Sequence, residues 1–171
     1  MESFGDLLSD LRGSGLQRTP QDLSQRTYHA RLDRPAAAGR LDFSQPAESL
    51  VALVSALDHS TYWNPLTCAK VAVGNRVLLV GAATTEPSAG SVAPGKVLEA
   101  TQAGLVVGTA SVPVRLTGLR DTLWQAVCPS TIAQAGDQLA LLDPAEAKAL
   151  TEAHAGVVAA EEAWRRCLRA P

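Results

Sequence analysis

Short apolar segments between residues 70 and 119 constrain the fold more than any other feature of this chain. They are KVAVG (70–74), RVLLVGAAT (76–84), KVLEA (96–100), GLVVGTA (104–110) and VPVRLTGL (112–119). Turn residues separate several of them, namely Gly74-Asn75, Pro94-Gly95 and Gln102-Ala103-Gly104. Short strands at this spacing predict a small OB-like β-barrel, so the expected class is mainly β with flanking helices (α+β).

Alternation within these segments predicts which side chains form the barrel core, because successive residues of a strand face opposite sides. The expected core positions are Val71, Val73, Val77, Leu79, Val97, Val107, Val114 and Leu116. The opposite faces would place Arg76, Lys96 and Arg115 in solvent.

Helices are expected on both sides of the barrel. Apolar residues at helical spacing predict a short helix over 3–12, and a second helix over 46–57 with Ser44 as its cap. The run Asp143-Pro144-Ala145-Glu146 supplies a cap, a first-turn proline and a capping-box acid, and predicts a third helix to about Leu168. The predicted parts are a remnant helix and extended linker at 1–38, the barrel domain at 39–130 and a C-terminal helical extension at 131–171.

Charge and cysteine content narrow the function classes. The chain has 15 Lys and Arg against 17 Asp and Glu, so a phosphate-backbone partner has little electrostatic support. Cys68, Cys128 and Cys167 are odd in number and far apart, which predicts neither a zinc site nor a disulfide framework. The N-terminus is acidic where a signal peptide would be basic, and no apolar run approaches the roughly 20 residues of a membrane span. We therefore expect a cytoplasmic protein with reduced thiols.

The chemistry-bearing residues predict no catalytic, cofactor-binding or metal-binding site, and no cofactor. The histidines are His29, His59 and His154, and none has acid or cysteine partners at a recognisable spacing. Adjacent Asp58 and His59 are poor candidates for a triad, because neighbouring side chains usually diverge. The glycines match neither the dinucleotide-binding nor the P-loop pattern.

A contact surface is the alternative reading of the polar and aromatic segment after the second helix. Its candidate residues are Asp58, His59, Tyr62, Trp63 and Asn64. The same segment can also be explained as a structural turn between helix and barrel, and the sequence leaves both interpretations open.

The end of the last helix predicts a second contact surface. Trp164 and Leu168 fall on one face with Arg165 beside them, and an aromatic residue flanked by arginines is typical of interface hot spots. Two other interpretations stay open: Trp164 folds back onto the barrel, or the helix end frays.

The order of several weaker features resembles the C-terminal region of the methionyl-tRNA formyltransferase family. The matching pieces are Gln21, Thr27, the run Gly39-Arg40-Leu41-Asp42-Phe43, the helix at 46–57 and Pro94-Gly95 before a strand. The resemblance covers residues 1 to about 125. It implies a non-catalytic domain, because the family's catalytic Asn, His and Asp lie in an α/β half that is expected to precede this chain.

The tail at 145–171 resembles, more weakly, the lead-in to a condensation-type or adenylation region of nonribosomal peptide synthetases. Together the resemblances imply a docking or substrate-orienting module in formylation or nonribosomal peptide biosynthesis. Its protein partner would be an α/β formyltransferase half or a peptide synthetase module. The alternatives are one half of a split formyltransferase and a tRNA-binding barrel, and in every case the isolated chain is expected to transfer no formyl group.

Overall fold

The computed structural model describes residues 4–13, 20–30, 33–59, 64, 66–87, 90 and 92–169. The chain divides into two compact units, Met1–Arg31 and Leu32–Pro171. The first unit contains α1 (Phe4–Arg12), which confirms the predicted N-terminal helix. Its described residues also form a 3₁₀ turn, Leu23–Gln25, in which the Ser24 N–H donates to the Asp22 carboxylate at 3.0 Å. None of the described helices is long and apolar enough to cross a lipid bilayer.

The described part of the second unit contains six strands. They are β1 (Lys70–Val73), β2 (Arg76–Leu79), β3 (Ala82–Thr85), β4 (Val97–Thr101), β5 (Gly104–Val107) and β6 (Val114–Thr117). β1 and β2 form the predicted hairpin, and Gly74 at its turn has a φ of +59°, the conformation that such two-residue turns require. The other strands form a four-stranded antiparallel sheet in the order β3-β6-β5-β4. The mainly β class is therefore confirmed.

A bend at Gly81 divides the segment 76–84, which the sequence suggested as one strand. Leu79 and Arg120 exchange backbone hydrogen bonds of 2.8 and 3.0 Å, in the register that also pairs β3 with β6. The ladder thus continues past the bend and joins the two sheets. A Cβ on Gly81 would lie 3.2 Å from the carbonyl oxygen of Gly118, so this close crossing favours glycine.

The strands do not close into a barrel, because irregular segments occupy the outer edges. Leu41 donates its backbone N–H to the Lys70 carbonyl at 2.8 Å along β1, and Val97 donates to the Asp137 carbonyl at 2.9 Å along β4. Within the described residues no ladder joins β4 to β1. The edges are covered rather than paired with each other, which is another way to protect exposed strand backbone.

The core contains most of the predicted strand positions. Those that are buried as expected are Val71, Val73, Val97, Val107, Val114 and Leu116. The register predicted for β2 is wrong, because Leu78 is fully buried whereas Val77 is 44% exposed. The reason is the hairpin: Leu78 lies directly opposite Val71, and directly opposed residues share a face of the sheet.

Helix α2 (Ala47–Leu57) packs its apolar stripe on β3 and buries Ala47, Leu50, Val54 and Leu57. Ser44 is not its cap, because the Ser44 hydroxyl donates to the Asp42 carboxylate. The Ala47 N–H donates instead to Ser111 Oγ at 3.0 Å, a partner from a distant loop.

Helix α3 (Pro144–Arg169) begins as the sequence predicts, since Asp143 Oδ1 accepts hydrogen bonds from the Ala145 and Glu146 N–H groups. The Glu146 carboxylate forms an ion pair with Arg40. α3 packs on the 3₁₀ turn Ala36–Gly39, where the Ala37 N–H donates to Thr151 Oγ1 at 2.8 Å.

Candidate functional site

A cleft of about 420 Å³ opens at the C-terminal end of α2. The helix end and the following loop supply Leu57, Asp58, His59, Asn64, Cys68 and Ala69. The end of β2 and the bend after it supply Leu79, Val80 and Gly81, and the segment after β6 supplies Arg120 and Trp124. The volume falls in the range of small-molecule sites, and the lining mixes apolar side chains with a few charged groups, as such sites do.

Asn64 joins the loop that follows α2, which lines this cleft, to the end of that helix by hydrogen bonds. Its Nδ2 donates to the Leu57 carbonyl oxygen at 2.8 Å, and its Oδ1 accepts from the Leu66 N–H at 2.8 Å. The first bond satisfies one of the carbonyls that a helix leaves without an internal partner at its C-terminus. The amide of Asn64 therefore positions the wall of the cleft.

Lys70 holds the same loop from the other end. Its ammonium nitrogen lies 2.6 Å from the Ala38 carbonyl oxygen, 2.6 Å from Thr67 Oγ1 and 3.0 Å from the Cys68 carbonyl oxygen. An ammonium group has three N–H donors, so these acceptors use all of them. Burial lowers the pKa of Lys70. The lysine thus fixes Cys68 in the lining through backbone contacts.

A tight turn at 121–125 presents Trp124 to the cleft. Asp121 Oδ1 accepts hydrogen bonds from the Leu123 and Gln125 N–H groups, each at 2.9 Å, and Arg120 Nη1 donates to the Trp124 carbonyl at 3.2 Å. These bonds hold Trp124 at a φ of +64°, a conformation that bulky residues rarely adopt. Trp124 is nevertheless 60% exposed.

The structure brings together part of the first predicted surface. Asp58, His59 and Asn64 line the cleft, with Asp58 and His59 exposed and Asn64 half-buried. Tyr62 and Trp63 lie outside the described residues. The prediction of a contact surface at these positions stays a prediction.

The second predicted surface lies on the last turns of α3. Arg165 and Leu168 are exposed there, and Arg165 forms an ion pair of 2.7 Å with Glu161 one turn earlier. The side chain of Trp164 lies outside the described part of the chain. None of the described α3 side chains lines the cleft, so the two predicted groups belong to different surfaces.

Sequence reasoning missed Trp124 and did not group Arg120 with Asp58 and His59. The available signal was the string Asp121-Thr122-Leu123-Trp124-Gln125, in which an aspartate that can accept backbone hydrogen bonds precedes two large apolar residues outside any predicted strand. Leu123 is 76% exposed beside Trp124, so this turn presents two large apolar side chains in succession.

The histidines occupy different environments. His59 is exposed at the cleft, whereas His154 on α3 is half-buried and its Nδ1 atom is fully buried. Burial lowers the pKa of His154, and the positive charges of Lys70 and Arg34 lower it further. Among the residues described, no three His, Cys, Asp or Glu side chains converge as metal ligands would.

The model of a protein family described as formyl transferase, C-terminal domain, matches residues 35–134. The match covers more than half of the chain. It includes α2, the strands β1 to β6 and every residue of the cleft, while α1 and α3 lie outside it.

Proposed function

The chain belongs to the formyl transferase C-terminal domain family, and on this basis we propose that it is a non-catalytic module of a formylation system. The module docks on an α/β formyltransferase catalytic unit and helps to orient that unit's substrate. The observation that carries the proposal is the cleft, which places Asp58, His59, Arg120 and Trp124 around one concave surface within the matched region.

The non-catalytic character follows from the family resemblance and from local geometry. In the resembled family the catalytic residues belong to the α/β half, and the matched region is the other half. Asp58 and His59 are exposed neighbours at the end of α2, and adjacent side chains usually point in different directions. The arrangement suits contact with a bound molecule better than proton transfer between oriented groups.

The outer end of α3 is the proposed protein-docking element. Val157 is 68% and Leu168 81% exposed, and Arg165 and Arg166 lie between them on the same helix. Exposed apolar side chains with neighbouring arginines have the composition of interface hot spots. The partner is an α/β formyltransferase unit or, as the resemblance of the tail suggests, a nonribosomal peptide synthetase module.

The free cysteines support a reducing compartment. Cys68, Cys128 and Cys167 are all unpaired, and Cys167 is exposed on α3. An exposed thiol persists most readily in the cytoplasm, where we propose that the module works.

The test is a complementation assay in trans. An α/β formyltransferase catalytic unit without its own C-terminal domain is assayed for formyl transfer from a formyl-tetrahydrofolate donor to amine acceptors, with increasing amounts of this chain. We expect the chain alone to give no turnover and to raise kcat/KM of the catalytic unit until it saturates. An unchanged kcat/KM at all concentrations, or turnover by the chain alone, would contradict the proposal.

The same assay separates docking from substrate orientation. Leu168→Asp should raise the concentration of chain needed for half-saturation. Ala159→Asp, a charge at an exposed position on the opposite face of α3, is its control. An absolute requirement of the catalytic unit for the chain would favour the split-enzyme alternative.

A further inference from the structure

The turn that holds Trp124 contributes little to the packing of the fold. Trp124 and Leu123 are among the most exposed apolar residues of the described chain, and Trp124 has a backbone conformation that costs conformational energy. Five hydrogen bonds within 120–125 nevertheless fix it. Two go to the Asp121 carboxylate, one runs from the Trp124 N–H to the Asp121 carbonyl, one from the Asp121 N–H to the Gln125 carbonyl, and one from Arg120 to the Trp124 carbonyl. A strained backbone that several hydrogen bonds hold in place beside a cleft suggests that Trp124 has a role in ligand binding.

We propose that the cleft binds a small aromatic carboxylate, with its ring against the Trp124 indole and its carboxylate on the Arg120 guanidinium. An indole offers a flat apolar face to a ring. A guanidinium has five N–H donors, of which the structure shows one, on Nη1, bonded to the Trp124 carbonyl, and its planar fork matches a carboxylate.

The remaining lining agrees with this ligand class. Leu57, Ala69 and Val80 are buried and give the cleft an apolar floor for a ring. Arg120 is the Arg or Lys side chain among the described residues that line the cleft, so the charged end of the ligand belongs there.

The biological role of this ligand rests on the proposed function, in which it is the class of substrate that the module orients. The binding itself is measured on the isolated chain, without a catalytic unit. Failure of the binding experiment therefore leaves the complementation result standing, and the reverse also holds.

Ligand-observed saturation-transfer NMR of the full chain with three probes tests the proposal. Phenylacetate carries ring and carboxylate, phenylethanol the ring alone, and cyclohexylacetate the carboxylate without an aromatic face. We expect saturable binding of phenylacetate, with each of the other two at least about tenfold weaker. Equal binding of phenylethanol or cyclohexylacetate, or no saturable binding of phenylacetate, would overturn the proposal.

Matched variants test whether phenylacetate binds at Arg120 and Trp124. Arg120→Gln removes the charge but keeps a polar side chain, and should weaken the binding of phenylacetate to the level of phenylethanol. Arg76→Gln removes an exposed charge on β2, outside the cleft, and should leave binding unchanged. Trp124→Gly should abolish binding in a chain that remains folded by circular dichroism. If phenylacetate still binds to both cleft variants, it binds elsewhere on the chain, and the proposed site is wrong.

Discussion

The ammonium nitrogen of Lys70 lies 2.6 Å from the carbonyl oxygen of Ala38, a residue held at a φ of +54°. This contact joins the Ala36–Gly39 turn, on which α3 packs, to the loop that lines the cleft. One side chain thus links the packing of α3 to the position of Cys68 in the cleft, because Lys70 also donates to the Cys68 carbonyl.

Replacement of Lys70 by methionine should destabilise the fold. The carbonyls of Ala38 and Cys68 would lose a half-buried donor, and an unsatisfied buried acceptor costs about 1–3 kcal/mol. Urea unfolding of Lys70→Met measures the loss. Lys148→Met, at a position whose side chain is 78% exposed, should change the free energy of unfolding by less than about 0.5 kcal/mol. Equal stability of the two variants would show that the Lys70 contacts do not support the fold.

Replacement of Trp124 by glycine should leave the chain more stable than replacement by alanine does. Glycine adopts the φ of +64° without strain, whereas alanine at this position keeps a Cβ in the disfavoured region. Relief of such strain is worth about 1 kcal/mol. Thermal unfolding should rank Trp124→Gly above Trp124→Ala, although glycine normally lowers stability through the unfolded state. The reverse order would mean that the turn stores no strain.

Truncation of Leu78 should cost far more than truncation of Val77. Leu78 is fully buried, so Leu78→Ala should lose about 2–5 kcal/mol. Val77 is 44% exposed, and Val77→Ala should lose less than about 1 kcal/mol. Chemical denaturation of both variants checks the observed register of β2, and similar losses at the two positions would contradict it.

The wrong register predicted for β2 shows where a local sequence pattern does not determine the structure. Val77-Leu78-Leu79 is a run of apolar residues, so alternation alone cannot say which of them faces inward. Pairing of Leu78 with Val71 across the hairpin decides the register. The start of α3 at Asp143-Pro144 and the turn at Gly74-Asn75 were predictable, because the residues that signal each structure are the same few residues that form it.

The candidate site also contains residues that the sequence pattern identified and a residue that only the fold brings to them. Asp58, His59 and Asn64 stood out because their polar side chains are neighbours in sequence. Trp124 joins them only after the sheets fold, since it lies 60 residues beyond Asn64 in the chain. Its positive φ is also invisible in the sequence, because tryptophan gives no signal for a conformation that glycine and asparagine normally occupy.

The chain should bind tRNA weakly, because internal contacts engage several of its basic side chains. Those engaged are Arg40 with Glu146, Lys70 with backbone carbonyls, Lys96 with the Gly136 carbonyl, and Arg115 with Glu86 and Glu99. Filter binding at low salt should detect no sub-micromolar affinity. Glu86→Gln combined with Glu99→Gln releases Arg115 and should raise the affinity slightly. Tight binding by the unmodified chain that falls steeply with added salt would support a tRNA-binding role instead.

The stability of the chain should decrease as the pH falls through the ordinary pKa of histidine, and His154 should account for the decrease. Burial, with the charges of Lys70 and Arg34, lowers the pKa of His154 below the ordinary value of histidine, so the unfolded chain binds this proton at a higher pH than the folded chain does. Because the unfolded state takes up more protons in that range, the free energy of unfolding is highest above the ordinary pKa and falls below it. Urea unfolding between about pH 5.5 and 7.5 brackets that titration and lies above the usual range of carboxylates. His154→Leu should flatten the pH dependence, whereas His59→Leu, at an exposed position, should leave it in place. If both variants keep the slope of the unmodified chain, protonation of His154 does not oppose the packing of α3 against the rest of its unit.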